Sequence, residues 1–181
     1  MKNLVFIIAL LSGSAMAQIE CGKPTAISFP ALEKDYELVG RYSEGSLNIE
    51  RKSKELRYSG NLNINNHYRS LTYNSYSSGG NANIKFDNEK AKRLKDRDQK
   101  HRFLKIEKRK DCRMSRGIKC ITEPERMVTI IEIDSVLNEL SLSYYRMSHD
   151  VYQDYKRDGE NALSKSYSYF KATYNDCSGI N

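Results

Sequence analysis

Short runs in which apolar and polar residues alternate recur along the chain, and they constrain its fold more than any other feature. A period of two residues places alternate side chains on opposite faces of a β-strand. The opposite face would then carry polar residues such as Arg57, Asn63, Lys85 and Lys105. The apolar sets of equal parity are Leu56, Tyr58, Leu62 and Ile64; Ala82, Ile84 and Phe86; Leu104 and Ile106; Met127, Thr129, Ile131 and Ile133; and Leu140, Leu142 and Tyr144.

Turn-forming residues separate these runs at intervals of about ten residues. Examples are Glu44-Gly45-Ser46, Asn65-Asn66 and Ser78-Gly79-Gly80-Asn81. Strands at this spacing, polar on one face, are typical of an antiparallel meander. We therefore predict an all-β fold, an antiparallel meander of 7–10 strands that closes into a barrel or, alternatively, packs as a sandwich.

At most one short helix is expected, over residues 147–157. Met147, Val151 and Tyr155 recur there at a spacing of four residues, and Gly159 follows as a stop signal.

The first seventeen residues have the layout of a secretory signal peptide. Met1-Lys2-Asn3 precede an apolar run from Leu4 to Leu11, and Ala15-Met16-Ala17 forms a cleavage site of small residues. Removal of residues 1–17 would leave residues 18–181 as a single domain, large enough to bury a sizeable core. We expect a periplasmic or secreted protein, of bacterial origin from the style of the leader.

The chain has four cysteines, all after the leader. An even number of cysteines in an exported chain indicates disulfides. Three pairings are possible, of which we favour Cys112–Cys120, closing a short loop, and Cys21–Cys177, joining the two ends of the domain. A zinc site is the weaker alternative, because no C-x-x-C spacing occurs and the chain has three histidines. The sequence therefore predicts no metal and no cofactor.

Positive charge is concentrated between Lys90 and Lys119. This segment contains fourteen basic and four acidic residues, in a chain of net charge +7. Such a region attracts anions. The partners we consider are anionic lipid head groups, an acidic polysaccharide or an acidic protein. Specific nucleic-acid binding is not expected, because stacking aromatic residues are scarce there. The alternative is a solubilising face with lysines that protect an edge strand. The predicted anion-binding residues are Lys90, Lys92, Arg93, Lys95, Lys105, Lys108, Arg109, Lys110, Arg113, Arg116 and Lys119.

Tyrosine is abundant, with 13 residues, and several tyrosines could line a ligand cavity. Barrels of about eight strands can hold one small ligand, and tyrosine offers an apolar ring with a polar tip. The alternative is that these tyrosines simply fill the core. The predicted cavity residues are Tyr68, Tyr73, Tyr144, Tyr167 and Tyr169.

The segment Leu38-Val39-Gly40-Arg41-Tyr42 resembles the opening of lipocalin-like barrels, in which Gly-x-Trp begins the first strand. Tyr42 stands where that family has tryptophan. The resemblance implies a barrel that carries a small apolar or amphiphilic ligand.

No catalytic motif stands out, so an enzyme is not the favoured prediction. His67, His101 and His149 are scattered, and the neighbours Ser148-His149-Asp150 cannot form a relay, because catalytic triads are assembled from separate segments. The leading hypothesis is a non-enzymatic binding protein that engages an anionic partner through residues 90–119. The alternatives are a lipocalin-like carrier, a secreted inhibitor, or a hydrolase acting on an anionic polymer. A membrane-spanning barrel is not expected, because the second face of the strands is charged.

Overall fold

The computed structural model describes residues 17–30, 33, 36–71, 76–108 and 125–180. They form one antiparallel sheet of ten strands with a single α-helix and one 3-10 helix in the described part of the chain. The strands are β1 (Ala17–Cys21), β2 (Ala26–Ser28), β3 (Tyr36–Arg51), β4 (Glu55–Ser70), β5 (Tyr76–Arg93), β6 (His101–Lys108), β7 (Arg126–Asp134), β8 (Glu139–Met147), β9 (Tyr167–Tyr174) and β10 (Cys177–Ser178). The α-helix α1 (His149–Asp158) leads directly into the 3-10 helix (Gly159–Lys165).

The sheet curls into a half-barrel, which confirms the predicted antiparallel meander and the barrel-like fold. Its strand order is β10-β1-β3-β4-β5-β6-β7-β8-β9-β2. The segment formed by β1 and β2 pairs with the segment formed by β9 and β10, through Cys21↔Cys177 and Ile27↔Ala172. Because β1 also pairs with β3, the ladder runs round in a ring.

The ring is split along one side. Within the described residues, β5 and β6 pair only through Lys92↔Leu104 and Arg93↔Phe103, whereas β4 and β5 pair along most of their length. β5 has 18 residues and β6 has 8. The long strands β3–β5 therefore diverge from the short strands β6–β9, and the barrel is partly open at that point.

The disulfide Cys21–Cys177 forms as predicted, with the two Cα atoms 4.3 Å apart. It links residues 156 positions apart along the chain. The chain-entropy model gives a loop of this length a stabilisation of up to about 5 kcal/mol. The predicted pair Cys112–Cys120 lies outside the described residues.

Two ends of the barrel can be distinguished. The turn end carries the β3–β4 turn (52–54), the β5–β6 loop (94–100) and the β7–β8 turn (135–138). The cleft end carries the start of β7 and β9 and the end of β6 and β8. Buried apolar side chains fill the interior towards the turn end, among them Leu47, Ile49, Leu56, Phe103, Ile131, Ile133, Leu140, Leu142 and Tyr174.

A second apolar layer lies on the outer face of β6–β8, beneath α1. Leu104, Val128 and Met147 are buried there against Tyr152 and Tyr155 of the helix. This layer explains one wrong prediction. The alternation of β6 placed Leu104 inward and Lys105 on a solvent-facing side, but Phe103 faces the barrel interior, and Lys105 shares its face. A strand covered on both faces has apolar residues at both parities, so its alternation does not identify the interior.

Three predicted turns lie inside strands instead. Gly45, Asn66 and Gly80 belong to β3, β4 and β5. Gly80 allows close packing, because a Cβ there would approach Tyr68 Cε2 to 2.7 Å and Phe29 Cδ2 to 3.0 Å. Glycine can therefore mark a close approach of neighbouring groups as well as a turn.

Two glycines, one on each strand, allow the backbones of β3 and β4 to approach closely within their antiparallel pairing. Gly45 and Gly60 have φ angles of 148° and 153°, which residues with a side chain rarely adopt. A Cβ on Gly60 would lie 2.1 Å from the Ser46 carbonyl oxygen, and one on Gly45 would lie 2.2 Å from the Asn61 carbonyl oxygen. The predicted break at Glu44-Gly45-Ser46 therefore lies inside one continuous 16-residue strand.

The single short helix is confirmed, but it begins at His149 because Met147 ends β8. The Ser148 hydroxyl caps it by accepting a hydrogen bond from the Val151 N–H at 3.3 Å. Gly159, with φ 65°, follows its last residue as predicted. Arg102 joins the 3-10 helix to the sheet through an ion pair of 2.7 Å with Glu160.

We predict that Gly60→Ala lowers the free energy of unfolding by at least about 2 kcal/mol, because the methyl group would collide with a backbone carbonyl at a strained φ angle. The measurement is urea denaturation. Gly22→Ala is the matched control, since a Cβ there meets nothing within 4 Å, and it should change stability by less than about 1 kcal/mol. Equal stabilities of the two variants would contradict the proposed role of Gly60.

Candidate functional site: a cleft at the open side of the barrel

A cleft of about 1060 Å³ opens at the cleft end, where the barrel is split between β5 and β6. It is bounded by the middle of β4 and β5, the ends of β6 and β8, the starts of β7 and β9, and the two helices. The lining residues are Asn63, Ile64, Asn65, Asn81, Ala82, Asn83, Ile84, Glu107, Glu125, Met127, Tyr144, Arg146, Ser148, Val151, Lys165 and Tyr167.

The inner wall of the cleft is apolar. Ile64, Ala82 and Ile84 come from the inward parity of β4 and β5, which pair Ile64↔Ala82 and Leu62↔Ile84. Met127 and Tyr144 come from the inward parity of β7 and β8, and the Tyr144 ring packs 5.5 Å from that of Phe170. Apolar surface at the mouth of a barrel favours the binding of an apolar molecular body.

Charged side chains at the rim are held by ion pairs. Glu125 accepts two hydrogen bonds from Arg146, both at 2.6 Å, in a bidentate arrangement. Lys165 binds Asp154 at 2.7 Å. These pairs fix the rim charges in place.

Four asparagines border the cleft, but they alternate with the apolar wall residues along β4 and β5, so their exposed side chains lie on the opposite face of the sheet. Asn63 pairs with Asn83, and Asn65 with Asn81, across β4 and β5. The cleft thus combines an apolar wall with paired charges and with the hydroxyl groups of Ser148 and Tyr167 at its rim.

Lys105 points into the barrel next to the cleft, where it contacts the lining residue Glu107. Its ammonium group donates to carboxylate oxygens of Glu89 and Glu107, each at 2.5 Å. Burial by itself lowers the pKa of Lys105, but the hydrogen bonds to Glu107 and Glu89 outweigh it and hold that pKa above its usual range. Lys105 is therefore a stable cation between two carboxylates.

Tyr58 lies beside this group in the barrel interior, where it is 1% exposed. Burial raises the pKa of Tyr58 to about 12, despite a hydrogen bond with Thr129 and the nearby charge of Lys105, both of which lower it. Burial likewise raises the pKa of Tyr174 in the filled half of the barrel.

Two of the predicted cavity tyrosines, Tyr144 and Tyr167, line the cleft. Tyr68 does not. It is fully buried, its ring centroid lies 6.3 Å from that of Phe29, and its hydroxyl donates to Glu33 at 3.4 Å. Tyr73 lies outside the described residues, and Tyr169 belongs to β9 with its side chain outside the described part.

The predicted anion-binding residues are divided among several places. Lys90 and Lys92 are exposed on the outer face of β5, Lys95 is exposed in the β5–β6 loop, and Lys108 is exposed at the end of β6. Arg93 binds Asp96 at 2.7 Å. Lys105 lies in the interior, away from these side chains. The residues outside the described part are Arg109, Lys110, Arg113, Arg116 and Lys119.

Sequence reasoning missed the Arg146–Glu125 pair at the rim of the cleft. The sequence carries no signal for this pair, because it joins residues 21 positions apart and depends on the β7–β8 register.

We predict that stability falls between about pH 10 and pH 12, as Tyr58 ionises in the unfolded chain but stays neutral in the folded protein. The raised pKa contributes stability below pH 10 that is lost as the pH approaches 12, by up to about 2–3 kcal/mol. Urea denaturation over this range should show a smaller loss for Tyr58→Phe. The matched control is Tyr167→Phe, because Tyr167 is half exposed and should follow the wild type. An identical alkaline loss in Tyr58→Phe and the wild type would contradict this origin.

Among the described residues, no group of histidine, cysteine, aspartate or glutamate side chains could hold a metal ion. No helix in the described ranges has both the length and the apolar character needed to cross a membrane. No model of a known protein family, no curated protein and no solved structure matches this chain.

Proposed function

We propose that this chain is an exported binding protein that holds a small amphiphilic molecule in the cleft between β5 and β6. The cleft itself carries the proposal. Its volume of about 1060 Å³ is at the upper end of the range of small-molecule sites, which runs to about 1,000 Å³. A polar rim around an apolar wall matches a molecule with an apolar body and a polar group.

The distribution of charge favours a ligand whose polar group is neutral or weakly charged. The cations at the cleft already have carboxylate partners, Arg146 with Glu125, Lys165 with Asp154 and Lys105 with Glu89 and Glu107. A strongly anionic ligand would have to displace one of these carboxylates. Hydrogen bonds to the Ser148 hydroxyl or to the Tyr167 hydroxyl cost less desolvation.

The rest of the barrel supports such a site by holding its walls rigidly. Phe29 packs between Tyr68 and Phe170, at 6.3 and 6.1 Å between ring centroids, and joins the sheet on two sides of the interior. A preorganised cavity avoids part of the entropy cost of binding.

The test is binding of N-phenyl-1-naphthylamine, a small neutral probe whose fluorescence rises in apolar sites. We expect saturable binding that long-chain amphiphiles displace. Ile84→Asp should weaken it at least tenfold, because the ligand would bury a carboxylate on the apolar wall. Ala82→Trp, which fills part of the cleft without adding charge, should weaken it several-fold.

Leu71→Asp is the matched control. Leu71 is 65% exposed, lies outside the cleft lining and undergoes the same change, so probe binding should stay as in the wild type. Circular dichroism would verify that each variant is folded. Equal probe affinities of folded Ile84→Asp, folded Ala82→Trp and the wild type would rule out the cleft as the site.

A second candidate function is contact with an anionic partner through the basic segment Lys90–Lys119. One observation favours it. Arg57 lies directly opposite Lys90 on the outer face of the sheet and places a further cation beside it, although Glu55 pairs with Arg57 at 4.0 Å and Glu50 lies opposite Arg57 on β3. Lys90, Lys92 and Lys95 are exposed and form no ion pair with any described residue.

This second candidate is tested by retention on immobilised heparin across a salt gradient. Lys90→Gln/Lys92→Gln/Lys95→Gln should elute at clearly lower salt than the wild type, because each removed cation reduces the counterion release on binding. The control removes three exposed lysines elsewhere, as Lys23→Gln/Lys85→Gln/Lys171→Gln. The same shift in both triple variants would mean that only net charge matters, and the candidate would fail.

A further inference from the structure

The turn end of the barrel, opposite the cleft, presents two adjacent apolar side chains to solvent. Val136 and Leu137 form the tip of the β7–β8 turn and are 74% and 66% exposed. The two adjacent side chains form a small apolar patch at the tip of the turn.

The conformation of this tip is fixed. Asp134 Oδ1 accepts hydrogen bonds from the backbone N–H groups of Val136 and Leu137, both at 3.0 Å. The hydrogen bond from Leu137 and the neighbouring Lys100 help to hold the pKa of Asp134 below its usual range. The carboxylate therefore keeps the turn in shape at neutral pH, and the two apolar side chains project as one unit.

Contacts join this tip to two basic loops. Lys100 of the β5–β6 loop binds Asp134 at 3.4 Å, directly below the tip. On the other side, the Arg93 backbone N–H donates to the Lys54 carbonyl at 3.1 Å, and the Arg93 guanidinium donates to the Ser53 carbonyl at 3.3 Å. The β3–β4 turn, the β5–β6 loop and the β7–β8 turn therefore form one continuous surface.

Three lysines on this surface keep their charge uncompensated. Within the described residues, Arg93 pairs with Asp96, Arg97 with Asp98 and Lys100 with Asp134. Lys52, Lys54 and Lys95 are exposed and have no ion pair among the described side chains. Lys52 and Lys54 lie outside the basic segment Lys90–Lys119, and the fold brings them beside it.

We infer that the turn end docks on an anionic lipid bilayer, with Val136 and Leu137 entering the head-group region and Lys52, Lys54 and Lys95 contacting lipid phosphates. This inference rests on the second candidate function and names its partner. Apolar side chains combined with lysines match a membrane interface, where both apolar burial and surface potential contribute. A polysaccharide would use the lysines but leave the apolar tip in water.

The cleft would face away from the membrane in this arrangement. The filled half of the barrel, with Leu140 and Ile133 in its core, would separate the bilayer from the ligand site. The ligand would therefore enter from or leave to the aqueous side.

The experiment is sedimentation of the protein with vesicles of phosphatidylcholine mixed with phosphatidylglycerol, and with vesicles of phosphatidylcholine alone. We expect salt-sensitive binding to the anionic vesicles. Val136→Ser/Leu137→Ser should reduce the partition coefficient at least tenfold, and Lys52→Gln/Lys54→Gln/Lys95→Gln should reduce it similarly and remove its salt dependence. Leu71→Ser, at the opposite end, and Lys23→Gln/Lys85→Gln/Lys171→Gln are the matched controls and should bind as the wild type does.

Each other outcome overturns the inference. Vesicle binding that Val136→Ser/Leu137→Ser leaves unchanged would show a purely electrostatic contact, so the apolar tip would have no role while the anionic-partner function survived. Binding to heparin without binding to anionic vesicles would assign the basic surface to a polysaccharide. Absence of binding to both would reject the second candidate function as well. Ligand binding in the cleft is measured independently and is unaffected by any of these results.

Discussion

The pairing of the first strand segment with the last is the constraint on which the rest of the structure depends. β1 and β2 occupy the gap between β3 and β9, and without them the sheet would end in two open edges. Backbone hydrogen bonds, the Cys21–Cys177 disulfide and the buried Ile27 and Phe29 all act at this one seam. The side chains of β4 and β8, including Leu62 and Leu142, belong to the one core that this seam encloses.

The barrel has two unlike halves. Towards the turn end, side chains from every strand meet and fill the interior with aliphatic and aromatic groups. Towards the cleft end, the long strands β4 and β5 extend past the end of β6, and the wall opens. The interior position of Lys105, with its two carboxylate partners, marks the change from one half to the other. A charged group can be tolerated there because it has hydrogen-bonded counter-ions and partial access to water through the cleft.

The sequence was sufficient to predict the fold class, the equal-parity faces of β4, β5, β7 and β8, and the Cys21–Cys177 link. The fold class and the strand faces follow from local alternation, and the disulfide follows from the even number of cysteines. Strand lengths were not predictable in the same way, because Gly45, Asn66 and Gly80 resemble turn residues and their real environment is created by the neighbouring strand. The inward direction of Lys105 was equally inaccessible, since it depends on α1 covering the opposite face of β6. Of the residues that line the cleft, Tyr144 and Tyr167 were predicted. The charged residues beside them could not be predicted, because their positions depend on the register between strands.

A barrel closed by its two chain ends has a consequence for how the molecule is made. Until β9 and β10 have emerged, β1 pairs only with β3, β2 has no strand partner, and Cys21 lacks its partner Cys177. The intermediate strands can form hairpins one after another, yet the ring cannot be completed by any shorter piece of the chain. Closing a contact of such high sequence separation is slow compared with hairpin formation. A nascent molecule therefore spends the interval with an exposed thiol and an unsealed apolar lumen, and an oxidising folding catalyst acting at the last step would protect it from incorrect pairing.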